Sequence, residues 1–151
     1  KEFAEAIISN LGQLPTKFKV ADYQESTGMN LPKYQRKPLK EKTLVGVDLF
    51  VHWPGENPDE IAEQLQKINL ENVSLSMITN RGIKVWPEGF SETFCTDHWR
   101  CRFKPTNGEN LTKEQIIALL SKGESNGIDI IKTENLYYFD GKQGFSLGQG
   151  Q

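Results

Sequence analysis

The chain has 151 residues, with 18 basic and 20 acidic side chains and a net charge of −2. A length of this order makes one domain with an appendage, and it buries roughly two-thirds of its unfolded surface. The balanced charge argues against binding nucleic acid through a broad basic face, no run approaches the roughly 20 apolar residues of a membrane span, and two cysteines are too few for a disulfide framework, which points to a reducing, cytoplasmic setting.

A short helix is expected over residues 1–12. Phe3, Ile7, Ile8 and Leu11 share one face, Gly12 stands where the chain leaves a helix, and Pro15 follows. A helix this short needs a surface to pack against. With no initiator Met and no signal-peptide pattern, the start reads as a piece cut from a longer protein. Residues 13–42 read as an extended linker in which Pro15, Pro32 and Pro38 recur and no period holds. Lys33, Arg36, Lys37, Lys40 and Lys42 stand there against Glu41 alone. Aromatic residues do not alternate with these charges, so the run reads as a solvated linker rather than a basic arm.

Residues 43–140 carry the pattern of a folded domain. Val45, Val47, Leu49, Val51 and Trp53 share one face of an expected strand, with Asp48, Phe50 and His52 on the other. Asn57-Pro58-Asp59-Glu60 opens a helix whose apolar stripe is Ile61, Leu65 and Ile68. Residues 73–79 alternate again, Val73, Leu75 and Met77 against Ser74 and Ser76, and Asn80-Arg81-Gly82 turns the chain into a hairpin strand at 83–86. After a loop at 87–96, Trp99, Cys101 and Phe103 point one way along a strand and His98, Arg100 and Arg102 the other. Thr112 and Gln115 form a capping box for a helix with Ile116, Ile117, Leu119 and Leu120 as its apolar face. A strand at 128–132 and a separate short segment at 136–139 follow, and residues 141–151 are expected to form a flexible tail, too polar to order itself.

Strand–helix–strand twice over predicts an α+β fold, two βαβ-like units in a ferredoxin-like split βαβ sandwich, preceded by the short helix and the linker. Helices then cover one sheet face. The other carries Asp48, His52, Ser74, Ser76, Arg100, Arg102 and Asp129, and if the first and third main strands are neighbours Asp48 lies near Arg100 or Arg102. Asp48, His52, Arg100, Arg102 and Asp129 are therefore the candidate interaction surface.

The chemistry-bearing residue types do not assemble into a catalytic pattern. Cys95-x-x-His98-x-x-Cys101 has metal-like spacing, but alternation puts His98 and Cys101 on opposite faces of a regular strand. Asp48 and His52 share a face, yet four strand residues span about 13 Å, beyond a hydrogen bond. Gly144-x-x-x-Gly148-x-Gly150 does not lie between a strand and a helix, so it is no dinucleotide fingerprint. Trp53 and Trp99 fall on the helix-covered face, which favours core over base stacking. No catalytic, cofactor-binding or metal-ligating residue is assigned.

Several segments resemble a known family. Residues 2–11 (EFAEAIISNL) are similar to the last helix of bacterial NADP-dependent isocitrate dehydrogenases. Residues 44–51 (LVGVDLFV), 77–85 (MITNRGIKV) and 97–103 (DHWRCRF) resemble, in order, the extra C-terminal domain of the longer form of that enzyme. The resemblance implies a parent chain that oxidatively decarboxylates isocitrate to 2-oxoglutarate with NADP and Mg or Mn. It also implies that the catalytic and cofactor-binding residues lie upstream, so that these 151 residues alone are inactive and hold neither cofactor. Ordered patterning without chemistry points to an accessory domain that works by association, with the upstream catalytic domain and a homodimer or higher homo-oligomer as partners. The alternative is a regulatory module for a small molecule, with Arg100 and Arg102 holding a carboxylate or phosphate.

Overall fold

Alternating apolar residues through Val47, Leu49 and Val51 make β1 (Lys42–His52) the strand around which the sheet is built. The protein is described here by a computed structural model over residues 1–21, 31–38, 40–90 and 92–151; residues 22–30 and 39 of the expected linker, and Ser91 of the expected loop, lie outside it. Residues up to Lys37 and those from Pro38 onward form two separate units. The first holds α1 (Glu2–Ser9), none of whose residues is buried; Phe3, Ile7, Ile8 and Leu11 are all exposed.

In the second unit β1 is followed by α2 (Pro58–Gln66), β2 (Val73–Asn80), β3 (Ile83–Trp86), β4 (His98–Pro105), α3 (Lys113–Ser125), β5 (Asp129–Phe139) and β6 (Lys142–Gln143). The six strands form one sheet in the order β3-β2-β4-β1-β5-β6, and every neighbouring pair is antiparallel. β4 thus lies between β1 and β2, and β1 between β4 and β5, so each strand–helix–strand segment straddles a strand of the other. The register sets Asp48 opposite Arg102, Leu49 opposite Cys101 and Val51 opposite Trp99.

Both helix starts follow from their caps. Asn57 accepts the Asp59 N–H at 3.0 Å, with Pro58 at the first helical position where its missing N–H costs nothing. The Thr112 hydroxyl accepts the Gln115 N–H at 3.2 Å, and the Gln115 side chain accepts the Thr112 N–H at 2.8 Å. Ile61 and Leu65 of α2 and Ile116 and Leu119 of α3 pack with Val47, Leu49, Val51, Trp99, Cys101 and Phe103 in one core on the helix side of the sheet. The Trp99 indole N–H donates to the Trp53 carbonyl at 3.0 Å, which satisfies its one polar atom inside that core.

Four details differ from the sequence pattern. A bulge between Leu75 and Met77 shifts β2 by one residue, so Met77 lies opposite Arg102 and Ile78, opposite Cys101, joins the core. The extra residue, Ser76, donates its hydroxyl to the Arg102 carbonyl at 3.1 Å. On α3 the stripe runs through Ile116, Leu119 and Gly123, while Ile117 is exposed. The two short C-terminal segments are one strand: β5 pairs with β1 along its whole length, because β1 supplies ladder partners for Glu134 and Asn135, which their own propensities do not recommend for a strand. The segment expected to be a flexible tail is placed across the sheet.

Candidate functional site: a charged sheet face under the C-terminal segment

Residues that alternate outward from the core meet on the face the helices leave open. Asp48 at the centre is fully buried, as is Arg102 beside it. Arg102 Nε donates to Asp48 Oδ1 at 2.8 Å and Nη2 to Oδ2 at 2.9 Å, a bidentate fork. The Arg100 Nε also donates to Oδ2. One carboxylate thus serves two guanidiniums, and Glu134, 4.0 Å from Arg100 Nη2, adds a second negative charge.

What buries this cluster is the chain's own C-terminal end. Gly144 N–H donates to the Tyr137 carbonyl at 2.9 Å, and the Phe145 ring stacks on Tyr138 at 6.0 Å and under the Arg102 guanidinium at 5.0 Å. The Ser146 carbonyl accepts from Arg102 Nη2 at 3.2 Å and from Arg100 Nη2 at 3.4 Å. Gln151 Oε1 accepts from Arg102 Nη1 at 2.9 Å and from the Gly148 N–H at 3.2 Å. At the far edge the Lys84 N–H donates to the Gln149 carbonyl at 2.9 Å, and the Gln149 N–H to the Gly82 carbonyl at 2.8 Å. Gly148 permits this approach: a Cβ there would lie 2.6 Å from Thr79 Cγ2. Residues 144–151 therefore run from the β5 edge to the β3 edge as a strap. Its polarity is no obstacle, because the buried guanidiniums need the carbonyl and amide oxygens it brings.

Of the five residues expected to form an interaction surface, the structure brings together Asp48, Arg100 and Arg102 and closes them under this strap. It also commits both guanidiniums, so they do not present a free fork to an external carboxylate. His52 and Asp129 remain exposed at one end of the sheet. There His52 Nδ1 lies 3.3 Å from Asp129 Oδ2 and its Nε2 lies 3.4 Å from Asp97 Oδ2, a pairing the sequence pattern did not suggest because Asp97 sits in the preceding loop. His98 packs tilted against Phe50, with ring centroids 5.6 Å apart, on the face opposite Cys101. Burial, with Asp48 nearby, pushes the Cys101 thiol well up, so this sulfur is no thiolate ligand or nucleophile. Cys95 is half-buried, and burial and then Glu56 raise its thiol too.

Two further hollows flank the sheet. One of about 240 Å³ lies against His52, Trp53, Ile61, Leu65 and Ile128, and one of about 220 Å³ lies between Lys84 and Lys104 beside Gln151. The residues missed from sequence are those of the strap, Phe145, Ser146, Gly148 and Gln151. The one sequence signal for them was glycine at 144, 148 and 150, where a close approach is needed.

Comparison with known proteins gives a consistent result. The family described as bacterial isocitrate dehydrogenase, C-terminal domain, matches residues 42–151. The chain is 40% identical to isocitrate dehydrogenase [NADP] of Rickettsia conorii, an alignment that covers all of this chain and 32% of that one. It is 34% identical to isocitrate dehydrogenase [NADP] of Thermus thermophilus, over 99% of this chain and 30% of that one. A crystal structure of the TT0538 protein from Thermus thermophilus superposes with a TM-score of 0.71 at 33% identity, covering 99% of this chain and 30% of the other. The chain thus spans about a third of the length of the relatives it matches.

Proposed function

Because the chain belongs to the family of bacterial isocitrate dehydrogenase C-terminal domains, we propose that it is the accessory, association-bearing end of an NADP-dependent isocitrate dehydrogenase. The parent chain oxidatively decarboxylates isocitrate to 2-oxoglutarate in the cytoplasm. Residues 1–12 are the last helix of the upstream catalytic domain, 13–42 the linker, and the domain that starts near residue 43 is a ferredoxin-like split βαβ sandwich. The exposed stripe of α1 and the interleaving of β1, β4, β2 and β5 support those assignments.

The residues described do not fit a divalent metal. Asp48 is committed to two arginines, Asp97 and Asp129 flank His52, and no group of three His, Cys, Asp or Glu side chains among the described residues converges for metal binding. NADP and Mg or Mn are assigned to the upstream chain.

The observation that carries association is the outer edge of β5. Among the described residues this edge pairs with β6 only at Tyr138 and Phe139, so the backbone from Ile130 to Leu136 offers unpaired ladder groups on that side. Unlike the β3 edge, this stretch receives no backbone hydrogen bond from the strap among the described residues. Pairing it with the same edge of a second copy, about a two-fold axis at Thr133, sets Lys132 opposite Glu134 twice. Both side chains lie on the same sheet face, Lys132 over Phe50 and Glu134 near Arg100. Sedimentation equilibrium tests it. The chain is expected to dimerise, Lys132→Glu to weaken the dimer, and the double reversal Lys132→Glu/Glu134→Lys to restore it. A monomer at all micromolar concentrations would remove the reading.

A further inference from the structure

The strap satisfies Arg100 and Arg102, but it leaves a second group of cations on the same face without partners. Lys84 on β3 and Lys104 on β4 stand on either side of the bulge at Ser76, and with Met77, Pro87 and Gln151 they line a hollow of about 220 Å³. That is below the roughly 300 Å³ at which drug-sized pockets begin, and it suits a small metabolite or an inorganic oxyanion.

The lining side chains have a one-sided chemistry. They include two ammonium groups and no carboxylate side chain, and neither lysine forms an ion pair among the described residues. Gln151 is fixed in its orientation, because its Oε1 accepts from both Arg102 Nη1 and the Gly148 N–H. Its amide NH₂ is therefore the end turned away from those donors. The Ser76 hydroxyl already donates to the Arg102 carbonyl, so its hydrogen is committed and the donors turned to the hollow are the two ammonium groups and the Gln151 amide.

We propose that this hollow is a binding site for a small multivalent oxyanion, a polycarboxylate or a phosphate, held between Lys84 and Lys104 with the Gln151 amide as a third donor. The site is independent of the β5 edge and of the association reading. It also couples to the strap: an anion that takes a hydrogen bond from Gln151 holds that side chain over Arg102, so occupancy favours the closed strap.

Amide shifts in the ¹⁵N-labelled chain, titrated separately with inorganic phosphate and with citrate at constant ionic strength, test the site. The expected result is saturable shifts of Lys84, Lys104 and Gln151, weakened at least ten-fold by Lys84→Met/Lys104→Met and unchanged by Lys142→Met on β6. Saturation by only one of the two titrants identifies the class, carboxylate or phosphate. Shifts that never saturate with either, or that survive the double substitution, would overturn the proposal. In the longer dehydrogenase chain held with NADP and without isocitrate, itself a polycarboxylate that would fill the hollow, the same titrant is expected to raise the thermal midpoint of the unsubstituted enzyme. Loss of that rise in the double variant supports the site; an equal rise in both overturns it.

Discussion

Asp48 shows how one buried carboxylate constrains the side chains around it. A buried charge is tolerated only when paired, and here the pairing is mutual, since Arg102 is as inaccessible as the aspartate that holds it. Asp48→Ala should therefore cost about 3–5 kcal/mol in urea denaturation, mostly as the penalty of leaving two guanidiniums without their partner. Replacing the cluster together, Asp48→Leu with Arg100→Met and Arg102→Met, should recover most of that loss, because a well-packed apolar cluster is often as stable as a buried ionic one. Strand alternation put Asp48 and the arginines on one sheet face, and the pairing of β1 with β4 brings them together. That the cluster is sealed was not legible, because Phe145, Ser146 and Gln151 follow no period that marks them as a cover. Cys101 makes a second case. In the unfolded chain its thiol loses its proton above about pH 9, the ordinary value, whereas burial holds the folded thiol protonated. The unfolded state then binds fewer protons than the folded one, so stability should be full below that pH and fall by about 1.4 kcal/mol per pH unit above it. Cys101→Ala should lose this part of the alkaline slope in denaturation curves measured between about pH 8 and pH 10, the range that brackets an ordinary thiol.

At the level of elements, the caps and the main strands were readable because each rests on local rules: Asn57-Pro58, the Thr112–Gln115 box, and the apolar alternation through Val47, Leu49 and Val51. What local rules missed was set by partners. The ladder from β1 extends β5 through Thr133, Glu134 and Asn135, and the bulge at Ser76 exchanges Ile78 for Met77 in the core. The strap is the clearest example, since most of its hydrogen bonds go to residues of β3, β4, β5 and β6 and to Gly82 of the β2–β3 turn, and only two join strap residues to each other. Gly148 sets its height above the sheet. In Gly148→Val the added carbon meets the Thr79 methyl, and the strap should lift. Hydrogen exchange reads this directly: the Lys84 amide, which donates to the Gln149 carbonyl, should lose protection by at least ten-fold, while the Leu49 and Cys101 amides in the central ladder should not change.

On the scale of the whole molecule, the sheet has one guarded edge and one open one. β3 receives Gln149 alongside it, whereas β5 ends in a hairpin of two residues that covers only Tyr138 and Phe139. An open edge bearing Lys132 and Glu134 discourages strangers and suits its own copy, since only a two-fold arrangement about Thr133 turns both charges into attractions. Each such cross-strand pair contributes between about 0.2 and 1 kcal/mol. Lys132→Glu turns two attractions into two repulsions, so the dimer constant should weaken roughly ten-fold or more. The mixed α+β class was accessible from the repeated strand–helix–strand pattern, and the family from the helix at 2–11 and three short motifs. Which edge stays open was not, because that depends on where the last residues lie. The position of β1 has a kinetic consequence as well. The sheet's most apolar strand comes first in the domain yet pairs only with β4 and β5, which begin at His98 and Asp129. Both its edges stay bare until those distant stretches arrive, so long loops must close early in folding. A chain of this topology folds slowly for its size, and during that wait residues 44–51 are the stretch most open to misassembly with a neighbouring chain.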